Sequence, residues 1–261
     1  MPYVTMLIFG LSLLLMTVSS CDKEPTEPPV ENGHVIVHLT DAPANFDAVN
    51  ITFSEISAHL DSEWVTIDIE PDSTVNLLYW TNGWSMILGQ DEAPAGHYTQ
   101  VRLKIKAAEI IVDNETFLLD VPSGAQSGLK LGLHFTIEPG STYELVLDFD
   151  VNKSIVTTGP RKDPKGYKLR PHIRVISKAV SGSISGTVTN PIDMPIAYAI
   201  QNSDTTTSTM VDTLSGFFML SFLAEGSYTV AVEDTTGKSF AQDNVIVIAG
   251  ENNDIGQVTL Y

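Results

Sequence analysis

Most of the chain consists of short stretches in which apolar and polar residues alternate. In Val101–Lys106 every second residue is basic and the residues between are aliphatic, so one face of a strand here would be exposed to solvent and the other buried. No helical period runs through the chain, and only a weak helix candidate lies near Thr74–Trp80. This pattern, bounded by Gly, Pro, Asn and Asp, predicts an all-β protein. The other predicted strands are Val35–Leu39, Leu145–Asp150, Ile184–Val188, Phe217–Phe222, Tyr228–Glu233, Asn244–Ile248 and Ile255–Leu260.

A flexible Ser-Gly-Ser seam at residues 181–183 divides the alternating stretches into two groups. We therefore predict two β-sandwich domains in tandem, at residues 32–179 and 182–261. The 43% of hydrophobic residues is enough to fill a core in each. The second domain, at roughly 80 residues, is near the lower size limit for a lone core.

Two turns share the same ending, a glycine followed two residues later by a tyrosine. They are Pro94–Tyr98 and Ala224–Tyr228, and Pro139–Tyr143 is a longer relative. In Greek-key sandwiches such a tyrosine packs under the incoming loop and its hydroxyl binds backbone. We expect this tyrosine corner in both domains, with a structural role.

The first residues have the pattern of an export signal. Met6–Val18 is mostly apolar but too short to span a bilayer comfortably, and a small residue, Ser20, precedes Cys21. This pattern resembles the bacterial lipobox, although Met1–Thr5 lacks the usual Lys or Arg. The resemblance implies that residues 1–20 are a signal peptide and that lipid on Cys21 anchors the protein to a membrane.

The residues after the cysteine suggest where the anchor is displayed. Asp22–Glu24 resembles the surface-export signal of Bacteroidetes-type lipoproteins, which implies the outer membrane and the cell surface. Residues 21–31 then form a flexible linker with an extended proline-rich spacer, Pro25–Pro29. Because Cys21 is the only cysteine, internal disulfides and thiolate metal sites are excluded.

The second domain resembles the carboxypeptidase regulatory-like family. The resemblance implies a transthyretin-like (prealbumin-type) sandwich of seven strands that serves as a non-catalytic accessory. It rests on Ile184–Val188, Ala197–Ala199, Thr207, Gly216–Leu220 and Leu223–Val230.

The first domain resembles the domain-of-unknown-function family 4382, over about 140 residues. The resemblance implies a β-sandwich in a bacterial surface lipoprotein and no known activity. It rests on Val37–Pro43, Phe46–Ile51, Trp64, Leu77–Leu78, Pro94–Tyr98, Val121–Gly124, Gly128–Leu131, Leu147–Asp150, Lys153–Ser154 and Leu169–Pro171.

Charge is high and unevenly spread. The net charge of -18 repels phosphates, so nucleic acid is not an expected partner. Residues 181–261 contain one base, Lys238, against nine acids, whereas Arg161–Lys178 contains seven bases. The basic stretch is either a solvated loop with a charged edge strand, or a contact with the acidic second domain or an anionic surface.

The aromatic residues Tyr79, Trp80 and Trp84 are the main candidates for ligand binding. They lie in a turn-rich segment, and a third tryptophan, Trp64, lies close by in sequence. Exposed Trp and Tyr stack on sugar rings or fill pockets of a partner. The alternative is core packing, especially for Trp64.

Asp148, Asp150 and Asn152 form a weak calcium candidate, because they alternate like the start of an EF-hand loop. Lys153 and Gly159 stand where that loop needs glycine and glutamate. Asp41 and Asp47 could join a metal only if the fold brings them close, and otherwise Asp41 forms an Asx-type turn. We therefore expect no metal centre and no cofactor.

These observations predict a membrane-anchored cell-envelope lipoprotein that is not an enzyme. Its expected role is a binding or adhesion module for a glycan or a protein. The alternative is a structural or assembly subunit of an envelope complex with no small-molecule ligand. In both cases the membrane is reached through lipid on Cys21.

Overall fold

The computed structural model describes residues 31–70, 72–159 and 166–261. Cys21, the predicted signal peptide and the proline-rich spacer lie outside these ranges. Strands make up most of the described chain, so the predicted all-β class is confirmed. None of the helices in these ranges has the length and hydropathy that crossing a bilayer would require.

Twelve strands of the described chain precede the seam, and we call this part the first sandwich. Two short helices, α1 (Ser123–Gly128) and α2 (Val151–Ser154), lie between its strands. The strands are β1 (Asn32–Ala42), β2 (Ala48–Leu60), β3 (Glu63–Ile67), β4 (Ser73–Asn76), β5 (Met86–Pro94), β6 (Gly96–Val112), β7 (Glu115–Asp120), β8 (Leu129–Ile137), β9 (Thr142–Asp150), β10 (Ile155–Thr158), β11 (Gly166–Leu169) and β12 (Ile173–Ser177).

Two sheets form the first sandwich. One has the order β12-β9-β1-β5, in which β1 runs parallel to β9 and antiparallel to β5. The other has the order β10-β11-β7-β6-β2-β3, with β4 also paired to β2 and β8 also paired to β6. The long strands β2 and β6 each exchange partners along their length and hold this sheet together.

Seven strands follow the seam and form the second sandwich. Its sheets have the orders β16-β13-β19 and β15-β14-β17-β18, and β13 runs parallel to β19. The strands are β13 (Ser181–Val188), β14 (Ile196–Gln201), β15 (Asp204–Met210), β16 (Phe217–Ala224), β17 (Gly226–Glu233), β18 (Ser239–Val247) and β19 (Asn252–Val258).

Buried apolar side chains form two separate clusters, one in each sandwich. The first extends from Val35 to Leu169 and the second from Ile184 to Leu260. The predicted seam therefore lies between two cores, but it is the start of strand β13 and not a flexible linker. Residues 31–261 together form one compact unit. That residues 32–179 and 182–261 are separate domains, each able to fold alone, stays a prediction.

Both predicted tyrosine corners are present. The Tyr98 hydroxyl donates to the Pro94 carbonyl at 2.8 Å, and the Tyr228 hydroxyl donates to the Ala224 carbonyl at 3.0 Å. The weak helix candidate near residues 74–80 is a strand end followed by a 3-10 turn, Leu77–Tyr79. Asn76 ends β4, and its side chain accepts from the Leu78 amide and so caps a single 3-10 turn.

Candidate functional site

The aromatic candidates lie on one loop, residues 77–85, which we call the aromatic loop. Tyr79 and Trp84 are 74% and 69% exposed. Trp80 is half-buried and packs against the core of the first sandwich. The three side chains therefore have different surroundings, and only Tyr79 and Trp84 present most of their surface to solvent.

Hydrogen bonds to β1 hold the aromatic loop in place. The Thr40 hydroxyl lies 2.8 Å from the Trp80 carbonyl and 2.9 Å from the Trp84 carbonyl. The Asp41 amide also donates to the Trp80 carbonyl, at 2.9 Å. Because β1 is a central strand of its sheet, these bonds attach the loop to the core of the fold.

The tip of the aromatic loop contacts the second sandwich. The Asn82 side-chain oxygen accepts from the Met219 amide of β16 at 2.6 Å. The next residue, Gly83, has a φ of 87°, and a Cβ atom there would lie 2.7 Å from the Met219 sulfur. The close approach of the two sandwiches at this point therefore favours glycine.

Trp64 does not belong to this loop. It lies on β3, where the Arg102 guanidinium sits 4.3 Å from the centre of its ring. The Lys130 ammonium lies 5.7 Å from the same ring and His59 packs beside it. These cation–π contacts stabilise the outer face of the sheet.

The parallel pairing of β1 with β9 brings together acidic residues that are distant in sequence. Thr40 lies opposite Asp148 and Ala42 lies opposite Asp150, so Asp41 has two carboxylates nearby. One Asp41 oxygen, Oδ1, accepts from the Val151 amide at 3.1 Å. Burial raises the pKa of Asp41 well above its usual range, and the charge of Asp148 raises this pKa further.

Arg174 neutralises Asp148 and also reaches the second sandwich. Its guanidinium donates to Asp148 Oδ2 at 2.6 Å and to the Phe222 carbonyl at 2.8 Å. The Thr207 hydroxyl of β15 donates to the same Asp148 oxygen at 3.3 Å. Phe222 has a φ of 55°, an uncommon value for a bulky residue. Of the two interpretations of the basic stretch, Arg174 fits contact with the acidic domain.

The three predicted calcium ligands do not form a common site. Asp148 forms an ion pair with Arg174. Asp150 accepts a hydrogen bond from the Lys153 amide at 3.0 Å and forms an ion pair with the Lys153 ammonium at 2.8 Å. The Asn152 side-chain amide donates to the Pro43 carbonyl. Within residues 31–70, 72–159 and 166–261, no group of three or more His, Cys, Asp or Glu side chains could hold a metal ion.

Sequence comparison assigns the first sandwich to a family. The model of a domain of unknown function, DUF4382, matches residues 32–171, which is more than half of the chain. The chain belongs to the DUF4382 family. The predicted resemblance of the first domain is thereby confirmed. The match does not extend over residues 182–261, whose resemblance to the carboxypeptidase regulatory-like family stays a prediction, as does the lipoprotein signal.

Several solved structures are distantly similar to this DUF4382 protein. The TIE protein of Bacillus anthracis aligns at 12% identity and a TM-score of 0.25, over 88% of this chain and 34% of that one. The chain therefore spans about a third of that protein's length. The major pilin subunit BcpA of Bacillus cereus aligns at 8% identity and a TM-score of 0.21, over 88% and 99%. The fimbrial anchor protein Mfa2 of Porphyromonas gingivalis aligns at 14% identity and a TM-score of 0.21, over 87% of this chain and 90% of that one. No curated protein matches the chain.

Proposed function

We propose that this DUF4382 protein is a lipid-anchored, non-catalytic binding module of the bacterial cell surface, with carbohydrate as its ligand. The observation that carries the proposal is the exposure of Tyr79 and Trp84 on a loop that is fixed by hydrogen bonds. A ligand that stacks on these rings would not have to order the backbone of this loop first, so less free energy is lost on binding. Aromatic side chains combine a broad apolar face with a polar edge, which suits a sugar.

Replacing both exposed aromatic residues should abolish binding and leave the fold intact. We expect Tyr79→Ala and Trp84→Ala each to weaken glycan binding about tenfold or more, which corresponds to ~1.4 kcal/mol or more. The free energy of unfolding should change by less than about 0.5 kcal/mol, because both side chains are mostly exposed. The measurements are a glycan array and urea denaturation of the full-length protein.

Leu118→Ala is the matched control, because Leu118 is equally exposed but lies on β7, outside the aromatic loop. It should leave the array signal unchanged. Trp80→Ala is unsuitable, since Trp80 packs against the core and its loss would also destabilise the fold. If the double variant retains every glycan signal of the wild type, the aromatic loop is not the binding site.

The proposed anchor has a separate test. Metabolic labelling with a fatty acid should mark the wild-type protein and the Ser20→Ala variant, because alanine is also small enough for the position before the cysteine. It should not mark Cys21→Ala, which lacks the thiol that accepts the lipid. Equal labelling of all three proteins would refute lipidation at Cys21.

One observation favours the second candidate function, an assembly subunit of an envelope complex. Three apolar side chains, Ile192, Leu214 and Tyr261, are largely exposed at one end of the second sandwich. Backbone hydrogen bonds connect their segments to neighbouring strand ends, from the Val188 amide to the Gly216 carbonyl and between Ser239 and Tyr261. A stable copurifying protein together with no glycan signal would support this function over the first.

A further inference from the structure

A small polar cavity lies between the two sandwiches, below the aromatic loop. Its volume is about 10 Å³, which is room for one water molecule or one ion. Eight of the eleven residues around it carry a side-chain oxygen, and the other three are Gly83, Met219 and Phe222. Among the residues that the structure describes, neither histidine nor cysteine lines it, so the cavity offers oxygen ligands.

Two buried oxygens that belong to residues lining this cavity have no hydrogen-bond partner among the described residues. They are Oδ2 of Asp41, which comes from the first sandwich, and the hydroxyl of Thr209, which comes from the second. Asp41 is 4% exposed and Thr209 is 2% exposed. One occupant of the cavity that contacts both atoms would satisfy them.

Two hydroxyls in the wall can act only as acceptors. Thr40 directs its proton to the carbonyls of the aromatic loop, and Thr207 directs its proton to Asp148. The oxygen lone pairs that remain are suited to a cation. A water molecule has only two protons to donate to these lone pairs.

The charges around the cavity also favour a cation. Arg174 balances Asp148, and Lys153 balances Asp150. Among the described residues no ion pair balances Asp41. Buried charges in proteins are paired, coordinate a metal or are neutralised through a shifted pKa. A bound cation would favour the ionised form of Asp41, whose pKa burial raises while no cation is present.

We propose that this cavity binds one calcium ion, held by the Asp41 carboxylate together with hydroxyl and amide oxygens from both sandwiches. Calcium takes six to eight oxygen ligands in flexible geometry, which this mixed wall can supply. Magnesium demands octahedral geometry and retains several waters, for which about 10 Å³ leaves no room. Of the acidic and amide residues considered for calcium from sequence, Asp41 and Asp148 line the cavity, whereas Asp47, Asp150 and Asn152 do not.

Bound calcium would connect the two sandwiches directly, because Asp41 and Thr209 belong to different ones. The site is independent of the proposed carbohydrate binding, and its test needs no glycan. Calorimetry on the chelator-treated full-length protein in 150 mM KCl, which screens loose association with the acidic surface, should show one calcium ion per chain. Magnesium should bind at least tenfold more weakly.

Matched variants decide whether this cavity is the site. Asp41→Asn should weaken calcium binding at least tenfold, Thr209→Val severalfold, and the exposed control Asp61→Asn not at all. The melting temperature gives a second readout. In the presence of chelator, the melting temperature of Asp41→Asn should be no lower than that of the wild type, because the substitution removes an uncompensated buried carboxylate. Addition of calcium should raise the melting temperature of the wild type and of Asp61→Asn only.

Two outcomes would overturn the proposal. One is the absence of saturable calcium binding to the wild type at millimolar concentrations, which would leave a structural water as the occupant. The other is calcium binding by Asp41→Asn with wild-type affinity, which would place the ion elsewhere on the acidic surface.

Discussion

Tyr98→Ala is expected to lower the free energy of unfolding by about 3–5 kcal/mol, the range for removing a large aromatic side chain from a core. Tyr98 is among the largest fully buried side chains and stacks on Phe135 at 5.0 Å. Its hydroxyl also holds the Pro94 carbonyl, so alanine would remove both the packing and the bond that fixes the turn before β6. Urea denaturation followed by circular dichroism measures the loss.

The two tyrosine corners provide a matched comparison for the hydroxyl alone. Tyr98→Phe and Tyr228→Phe keep the ring and each leave one backbone carbonyl without its partner. We expect each to cost about 1 kcal/mol, the net value of an ordinary hydrogen bond. If Tyr98→Ala costs no more than Tyr98→Phe, the ring makes no contribution to the core, and its assignment as a packing residue is wrong.

Arg174→Met is expected to lower the free energy of unfolding by about 3 kcal/mol. Methionine keeps an apolar stem but leaves the nearly buried Asp148 carboxylate without its cation, and breaking a buried pair in this way typically costs about 3–5 kcal/mol. The Phe222 carbonyl would also lose its donor. Because that bond joins the sandwiches, limited proteolysis should cut the exposed connection at residues 178–180 faster than in the wild type.

Lys168→Met is the matched control for Arg174→Met. It removes a cation from an exposed pair with Asp120 at 3.6 Å and should cost less than about 1 kcal/mol. Adding Asp148→Asn to Arg174→Met should restore part of the stability, since it removes the unpaired charge. Equal costs for the two methionine variants would show that the Asp148–Arg174 pair behaves as a surface pair.

Sequence patterns predicted the features that depend on local chemistry. Alternation located strands such as Val101–Lys106, because burial of one face imposes a period of two. The glycine and tyrosine spacing predicted both tyrosine corners, because glycine turns the chain and the ring must fill the space behind it. At residues 74–80 the apolar pattern was too short to separate a helix from a strand followed by a 3-10 turn.

The features that sequence could not predict depend on distant strand pairing. Asp41 and Asp148 become neighbours only through the parallel register of β1 and β9, which no local motif specifies. The different burial of Trp80 and Trp84 likewise depends on how Thr40 holds their loop. The sequence therefore indicated that Asp41 could lie near other acidic residues. It did not indicate which residues those are, or that a cavity lies beside them.

The placement of the first strand in each sandwich has a consequence for folding during synthesis. In both sandwiches this strand, β1 or β13, is central and runs parallel to a strand made much later, β9 or β19. Until that later strand emerges, the central strand has an unpaired edge that can join another chain. Long-range parallel pairing also slows folding, because a long loop must close before any contact forms. The nascent protein therefore depends on being kept apart from its own copies until each sandwich is complete.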